Sequence, residues 1–248
     1  MDTILEIKSL KKRFGEKQIV NGLSFKVKEK EILGFLGPNG AGKSTTISMI
    51  ATILEKDSGQ ILFEGRGVNE DDNKFKKDLG LVPQDIALFN DLTAYENVKF
   101  FGSLYRLKGE LLKERVKETL KLVGLYDRKN DYPDSFSGGM KRRLNIACSI
   151  VHKPKILIMD EPTVGIDPQS RNNILELTKS LREEGTSVIY TSHYMEEVEA
   201  ICSRLIIIDN GSIIESGDKE EIKAKYKEKG LNNLEEIFLH LTGKGLRD

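Results

Sequence analysis

Gly37-Pro38-Asn39-Gly40-Ala41-Gly42-Lys43-Ser44-Thr45 is the stretch whose reading decides the fold. It fits the phosphate-binding pattern G-x-x-x-x-G-K-[ST]. The apolar run Glu31-Ile32-Leu33-Gly34-Phe35-Leu36 leads into it and Thr46-Ile47-Ser48-Met49-Ile50 follows, so a strand enters the loop and a helix leaves it. Glycines let such a loop curl until its backbone N–H groups point inward around polyphosphate oxygens. Lys43 then reaches the terminal phosphates, and Ser44 offers its hydroxyl to Mg2+. A plain Gly-rich turn is the competing reading, and the strand and helix on its two sides weigh against it. The loop predicts a bound nucleoside triphosphate.

Composition narrows the partners. The chain has 248 residues, enough for one large or two small domains. Lys plus Arg and Asp plus Glu each count 39, so the formal net charge is zero and gives no overall electrostatic footprint for nucleic acid. The strongest apolar runs, such as Leu205-Ile206-Ile207-Ile208, end at a charge well short of the ~20 residues that span a bilayer. The first residues, Met1 to Lys8, mix charges with alternating apolar residues and read as a first strand rather than a secretion signal. Of two cysteines, Cys148 falls on the apolar face Leu144, Cys148, Val151 of a helical segment, where a small buried thiol is the plain reading. A cytosolic, reduced chain without a structural metal is the expectation.

Working outward from the loop, Ile4 to Ile7, Gln18 to Val20 and Leu23 to Val27 read as short strands of a small antiparallel sheet, with Ile61 to Phe63 joining it later. Between Leu92 and His152 the period becomes helical, first at Leu92, Tyr95 and Val98, then at Leu112, Val116, Leu120 and Val123. Asp91 or Thr93 is placed to cap the first helix, and Gly124 stands at a helix end. From Lys155 the α/β alternation resumes: strand Ile156 to Met159, helix Gln169 to Glu183, strand Ser187 to Tyr190 and helix Met195 to Ala200. Two strands then flank Asn210-Gly211, a two-residue hairpin signal. Alternation of this kind predicts a largely parallel sheet with covering helices. The charged tail carries a stripe, Leu234, Ile237, Phe238 and Leu241, that suits packing on the core or on a partner.

Two further segments carry chemistry. Ile156-Leu157-Ile158-Met159-Asp160-Glu161-Pro162 puts two carboxylates at the end of an apolar strand, the edge where open α/β sheets gather ligands. Asp160 is placed to hold Mg2+ opposite Ser44, and Glu161 to polarise a water for attack on the terminal phosphate. Phe136-Ser137-Gly138-Gly139-Met140 supplies Ser137 as an N-cap followed by two glycines, which suits either a second anion site or an ordinary capped helix.

Taken in order, the phosphate loop, Phe136-Ser137-Gly138-Gly139-Met140, Asp160-Glu161-Pro162, Val164-Gly165-Ile166-Asp167 and Thr191-Ser192-His193 resemble the nucleotide-binding subunit of ATP-binding cassette (ABC) transporters. The resemblance covers residues 1–217, and the Ser-Gly-Gly segment is particular to that family. It implies an α/β fold, a P-loop NTPase core with a mostly parallel sheet, an antiparallel β subdomain and a helical subdomain inserted at about 85–152. Beyond it, residues 218–248 are expected to form a helical extension packed on the same domain. It implies an ATPase using ATP and Mg2+, and roles by position: Phe14 stacks on adenine, Gln84 touches Mg2+ and the attacking water, and His193 contacts the γ-phosphate. Ser137, Gly138 and Gly139 close over ATP held by the phosphate loop of a second ATPase subunit, identical or related, with Asp167 between them. A multi-span membrane permease is the implied partner, which would place the chain on the inner face of the cell membrane. The family's commonest signature is Leu-Ser-Gly-Gly-Gln; here Phe136 and Met140 replace its ends, and Met lacks the amide's hydrogen bonds. Ser-Gly-Gly-Met followed by basic residues resembles a subgroup of drug, antibiotic and lipid exporters, so export is expected. The alternative, a soluble ABC ATPase acting on ribosomes or DNA, is disfavoured: a single cassette is present, and too few residues separate Gln84 from Phe136 for a coiled-coil arm.

Overall fold

The computed structural model describes residues 2–69 and 72–243. Met1 of the expected first strand and residues 244–248 of the expected C-terminal extension lie outside them. Strands β1 (Thr3–Phe14) and β2 (Lys17–Lys28) pair antiparallel and are longer than the sequence suggests. The breaks inferred between Gln18–Val20 and Leu23–Val27 are a bulge, not a strand end. Leu10 pairs with Leu23 and Lys11 with Asn21, leaving Gly22 as the extra residue. After β3 (Ile32–Leu36) the phosphate loop leads into α1 (Lys43–Ile50), and β4 (Ser58–Phe63) and β5 (Arg66–Gly67) complete the antiparallel sheet in the order β2-β1-β4-β5.

A short helix α2 (Asn73–Asp78) and strand β6 (Leu79–Val82) come next, and neither is foreseen from the sequence. Three helices then follow: α3 (Ala94–Leu104), α4 (Gly109–Leu122) and α5 (Gly138–Ile150). Thr93 caps α3 in a full capping box with Glu96. The remaining elements are β7 (Ile156–Met159), α6 (Pro168–Glu183), β8 (Ser187–Tyr190), α7 (Met195–Ile201), β9 (Arg204–Asp209), β10 (Ser212–Asp218), α8 (Lys219–Lys227) and α9 (Leu234–Thr242). β7, α6, β8 and α7 match the sequence reading to within a residue, β9 and β10 flank Asn210-Gly211 as expected, and α9 carries the Leu234 stripe, whereas α8 was read only as a charged stretch.

The second sheet runs β10-β9-β3-β8-β7-β6, parallel except for the β9–β10 hairpin. Its central strands are buried on both faces, which is why they read as unbroken apolar runs. One face, carrying Leu157, Met159, Val188 and Tyr190, packs into a core shared with the helices, including Leu234, Ile237 and Phe238 of α9. The opposite face, carrying Ile156, Ile158 and Ile189, packs against α1 and the antiparallel sheet. Register then fixes the site: Val82 pairs with Met159 and Met159 with Tyr190, so β6, β7 and β8 end in one rank. Their next residues, Pro83, Asp160 and Thr191, emerge together at the carboxyl edge, beside the loop that follows β3.

Candidate active site

The phosphate loop is a tight cradle. Gly42 sits at φ 102°, and a Cβ there would lie 2.7 Å from the carbonyl oxygen of Ile19, so both backbone conformation and space demand glycine. It occupies the N-cap of α1 with no side chain capping the helix, which leaves first-turn N–H groups directed at the cavity. Lys43 Nζ donates to the carbonyls of Gly37 at 2.7 Å and Pro38 at 3.3 Å, folding the ammonium back over the loop. Burial pushes the Lys43 pKa down, and the neighbouring Glu161 and Asp160 pull it back up. A cavity of about 380 Å³ opens here, lined by Asn39, Gly40, Gly42, Lys43, Ser44 and Thr45 of the loop and α1. Phe14, Gln84, Glu161 and His193 line it from other segments. Gly37 and Pro38 take part as carbonyl acceptors for Lys43, and Ala41 is buried beneath.

Glu161 is buried and held at φ 50°, a left-handed conformation uncommon for a non-glycine residue. Two interactions keep it there. Its N–H donates to Thr191 Oγ1 at 2.9 Å, and its Oε1 lies 2.6 Å from His193 Nε2. The second oxygen, Oε2, is buried and has no hydrogen-bond partner in the protein. An unsatisfied buried acceptor on the wall of a phosphate cavity is a place for a water molecule. Thr191 also donates to Asp160 Oδ1 at 2.8 Å, so a single hydroxyl fixes both carboxylate residues. Burial raises the Asp160 pKa, the Thr191 hydrogen bond lowers it, and Glu161 alongside raises it again. Among the described residues no cluster of three or more His, Cys, Asp or Glu forms a metal cage. One hydroxyl and one carboxylate, Ser44 and Asp160, instead suit a Mg2+ that retains waters and arrives with substrate phosphates.

Phe14 stands half exposed at the end of β1, not in a core, with the Lys12 ammonium 5.7 Å from its ring centroid. Lys17 and Ile19 on β2 join it along the cavity, two residues the sequence reading missed. They are brought there by hairpin pairing, in which Phe14 lies opposite Lys17. Gln84 is fixed from behind by buried Arg142 of α5, whose guanidinium donates to the carbonyls of Pro83 at 2.8 Å and Gln84 at 2.5 Å. Thr191 and Arg142 were missed as well; both act through strand ends far apart in sequence.

Ser137, Gly138, Gly139 and Asp167 do not line this cavity. Ser137 caps α5, accepting from Met140 N at 3.3 Å, and Asp167 caps α6, accepting from Ser170 N at 2.9 Å. That backbone hydrogen bond holds the Asp167 carboxyl below its usual pKa. The two caps adjoin: a Cβ on Gly139 would lie 2.1 Å from Ser170 Oγ and 3.6 Å from Asp167 Oδ2. Of the two departures from the commonest signature, Phe136 is buried in the core, and Met140 is partly buried against it. The predicted residues therefore form two groups, one around the phosphate loop and one where α5 and α6 begin.

Residues 20–164 match the protein family described as ABC transporter. The chain is similar to the linearmycin resistance ATP-binding protein LnrL of Bacillus subtilis, 53% identical over 219 residues, covering 88% of this chain and 70% of that one. It is also similar to the Nod factor export ATP-binding protein I of Ralstonia nicotianae, 40% identical over 88% of this chain and 68% of that one. Among solved structures, an ATP-binding subunit of an ABC transporter superposes with a TM-score of 0.86 at 28% identity, covering 97% of this chain and all of the other. Cavity, carboxylate pair and comparisons agree that this chain is an ATP-binding subunit of the ABC transporter family.

Proposed function

We propose that this chain hydrolyses ATP in a head-to-tail dimer and so drives export through a separate membrane-spanning partner. The observation that carries the reading is the 2.6 Å contact between His193 Nε2 and Glu161 Oε1 on the wall of the phosphate cavity. In this reading Glu161 orients and activates the attacking water through its unpartnered Oε2, and His193 holds the carboxylate and senses the γ-phosphate. Lys43 and the first-turn N–H groups of α1 bind the phosphates, and Phe14 stacks on the base. Mg2+, held by Ser44, Asp160 and Gln84, would neutralise charge on the β- and γ-phosphates. Ser137, Gly138 and Gly139, remote from their own chain's cavity, serve the ATP of a second copy or a related subunit, with Asp167 at the join.

Residues 1–217 act as one ATPase domain with a helical insert at about 85–152, and 218–248 extend it. No helix among the described residues is long and apolar enough to cross a membrane; in this reading the transport path is supplied by a separate membrane-spanning partner. Its docking surface would begin just beyond Gln84, where Ile86, Phe89 and Phe100 are exposed and the Phe89 and Phe100 rings meet edge to face at 4.9 Å. Such a partner would hold the chain at the inner face of the membrane. Export follows from similarity to proteins named for resistance and Nod factor export.

Glu161→Gln tests the reading. It should keep ATP binding, lower kcat by roughly 10²- to 10⁴-fold and accumulate an ATP-bound dimer seen by light scattering. Turnover at the wild-type rate would overturn the assignment.

A further inference from the structure

Glu197, on α7, is a buried acidic residue that the proposed reaction does not use. Three hydroxyls converge on its Oε2: Ser192 Oγ at 2.7 Å, Thr163 Oγ1 at 2.8 Å and Tyr190 OH at 2.9 Å. They come from both sides of the His193–Glu161 contact. Ser192 precedes His193, Tyr190 ends β8, and Thr163 lies two residues beyond Glu161. Ser192 Oγ also accepts from Tyr194 N at 2.9 Å, which closes the backbone turn that carries His193. Burial, with Glu197 beside it, pushes the Tyr190 phenol well above its ordinary range, so it remains a donor. A buried acid of this kind stabilises a fold poorly compared with an apolar side chain of the same size, which points to a task in positioning.

The other oxygen faces the second group of site residues. Glu197 Oε1 stands 3.4 Å from Arg171 Nε, and the Arg171 guanidinium lies 4.1 Å over the Tyr194 ring. Arg171 is one helical turn past the cap of α6, its N–H donating to the Asp167 carbonyl at 2.9 Å. One carboxyl group thus contacts the loop after Glu161, the turn bearing His193 and the helix that Asp167 begins. We propose that Glu197 is a positioning residue: through Ser192 it fixes His193 against Glu161, and through Arg171 it ties that contact to the Asp167 end of α6. A subunit pressing on Asp167 would then adjust the geometry of hydrolysis in the same chain. This inference rests on Glu161 and His193 being the catalytic pair.

The test combines kinetics with ring NMR, which the chain's three histidines make tractable. Glu197→Gln should lower kcat about 10- to 100-fold, the scale of a small misplacement of a reacting group, while the Kd for ATP stays put. Its effect should largely vanish in a His193→Ala background, since both changes act on one contact. Ser192→Ala removes only the hydroxyl beside His193 and keeps Glu197, so it decides the matter if the Gln variant does not fold. It should lower kcat about 10-fold and move the His193 ring resonances, leaving those of His240 in place. A Ser192→Ala chain with wild-type kcat and an unmoved His193 signal overturns the inference. Failure of the underlying reading looks different: turnover would then survive Glu161→Gln.

Discussion

The N-termini of α1 and α5 both look built for phosphate, yet they are finished in opposite ways. At α1 the cap is Gly42, with no side chain to satisfy the first turn, and Lys43, Ser44, Glu161 and His193 of the same chain enclose the space ahead of it. At α5 the cap is Ser137, whose own hydroxyl takes up Met140 N–H, and the neighbours are Asp167 and Ser170 of α6 rather than a cavity. The first end is a phosphate cradle whose cavity residues of this one chain line. In the proposed reading the second is a surface whose complement lies on another subunit. A chain carrying both would supply half of each site in the proposed dimer, and changes at the two ends should then separate binding from assembly.

Lys43→Ala should have the largest effect of those aimed at the ends. It removes a buried ammonium that Asp160 and Glu161 face and that phosphate would meet. ATP affinity should drop by about 2 kcal/mol or more, roughly 30-fold, in the isolated chain as well as the dimer. Titration with a fluorescent ATP analogue at low protein concentration checks this; unchanged affinity would mean that the α1 end is not the primary phosphate site.

The α5 end calls for a paired test. Gly139→Ala would drive a methyl into Ser170, at 2.1 Å from its Oγ and 2.4 Å from its Cβ, forcing α5 and α6 apart. It should destabilise the chain by on the order of 1–3 kcal/mol. Gly138→Ala meets nothing nearer than Ile166 Cδ1 at 3.9 Å and should leave stability within about 0.5 kcal/mol. If Gly138→Ala nonetheless lowers turnover while ATP still binds the isolated chain, the loss lies at the face offered to another subunit. Full turnover in that variant would erase the contrast between the two ends.

The same contrast explains what the sequence disclosed. Strands Ile156–Met159 and Ser187–Tyr190 were legible because burial on both faces makes them continuous apolar runs, and the β9–β10 hairpin because Asn210-Gly211 is local turn chemistry. α2 buries only Phe75, and β6 is four residues long and owes its identity to pairing with β7, so neither leaves a local pattern. Lys43 and Glu161 were read from their own motifs. Phe14, Gln84 and His193 came only through family resemblance, since a lone aromatic, amide or imidazole has no period to betray it. Thr191, Arg142 and Glu197 escaped because each works through a partner 30 or more residues away or through several segments at once.

A last prediction concerns how α5 is anchored at the end away from Ser137. His152, just past that helix, lies against Tyr105 with ring centroids 3.5 Å apart and planes at 3°, and its Nε2 is 3.0 Å from the Leu79 carbonyl of β6. It joins the helical insert to the edge of the parallel sheet. Burial pushes its pKa down to about 4, against an ordinary value of 6.5. A histidine depressed in this way binds protons in the unfolded chain before it does in the folded one. Stability is therefore full above about pH 6.5, falls as pH drops from there towards 4, and is flat in this respect below. Between pH 7 and 5 the loss should be on the order of 2 kcal/mol, read from urea midpoints. His152→Phe preserves the stacked ring without the proton and should flatten that slope. Hydrogen exchange should show acid loosening α5 before α1, as expected if one of the two helices is built into the sheet and the other is only fastened to its edge. Equal acid sensitivity of the two helices would show that they are held alike.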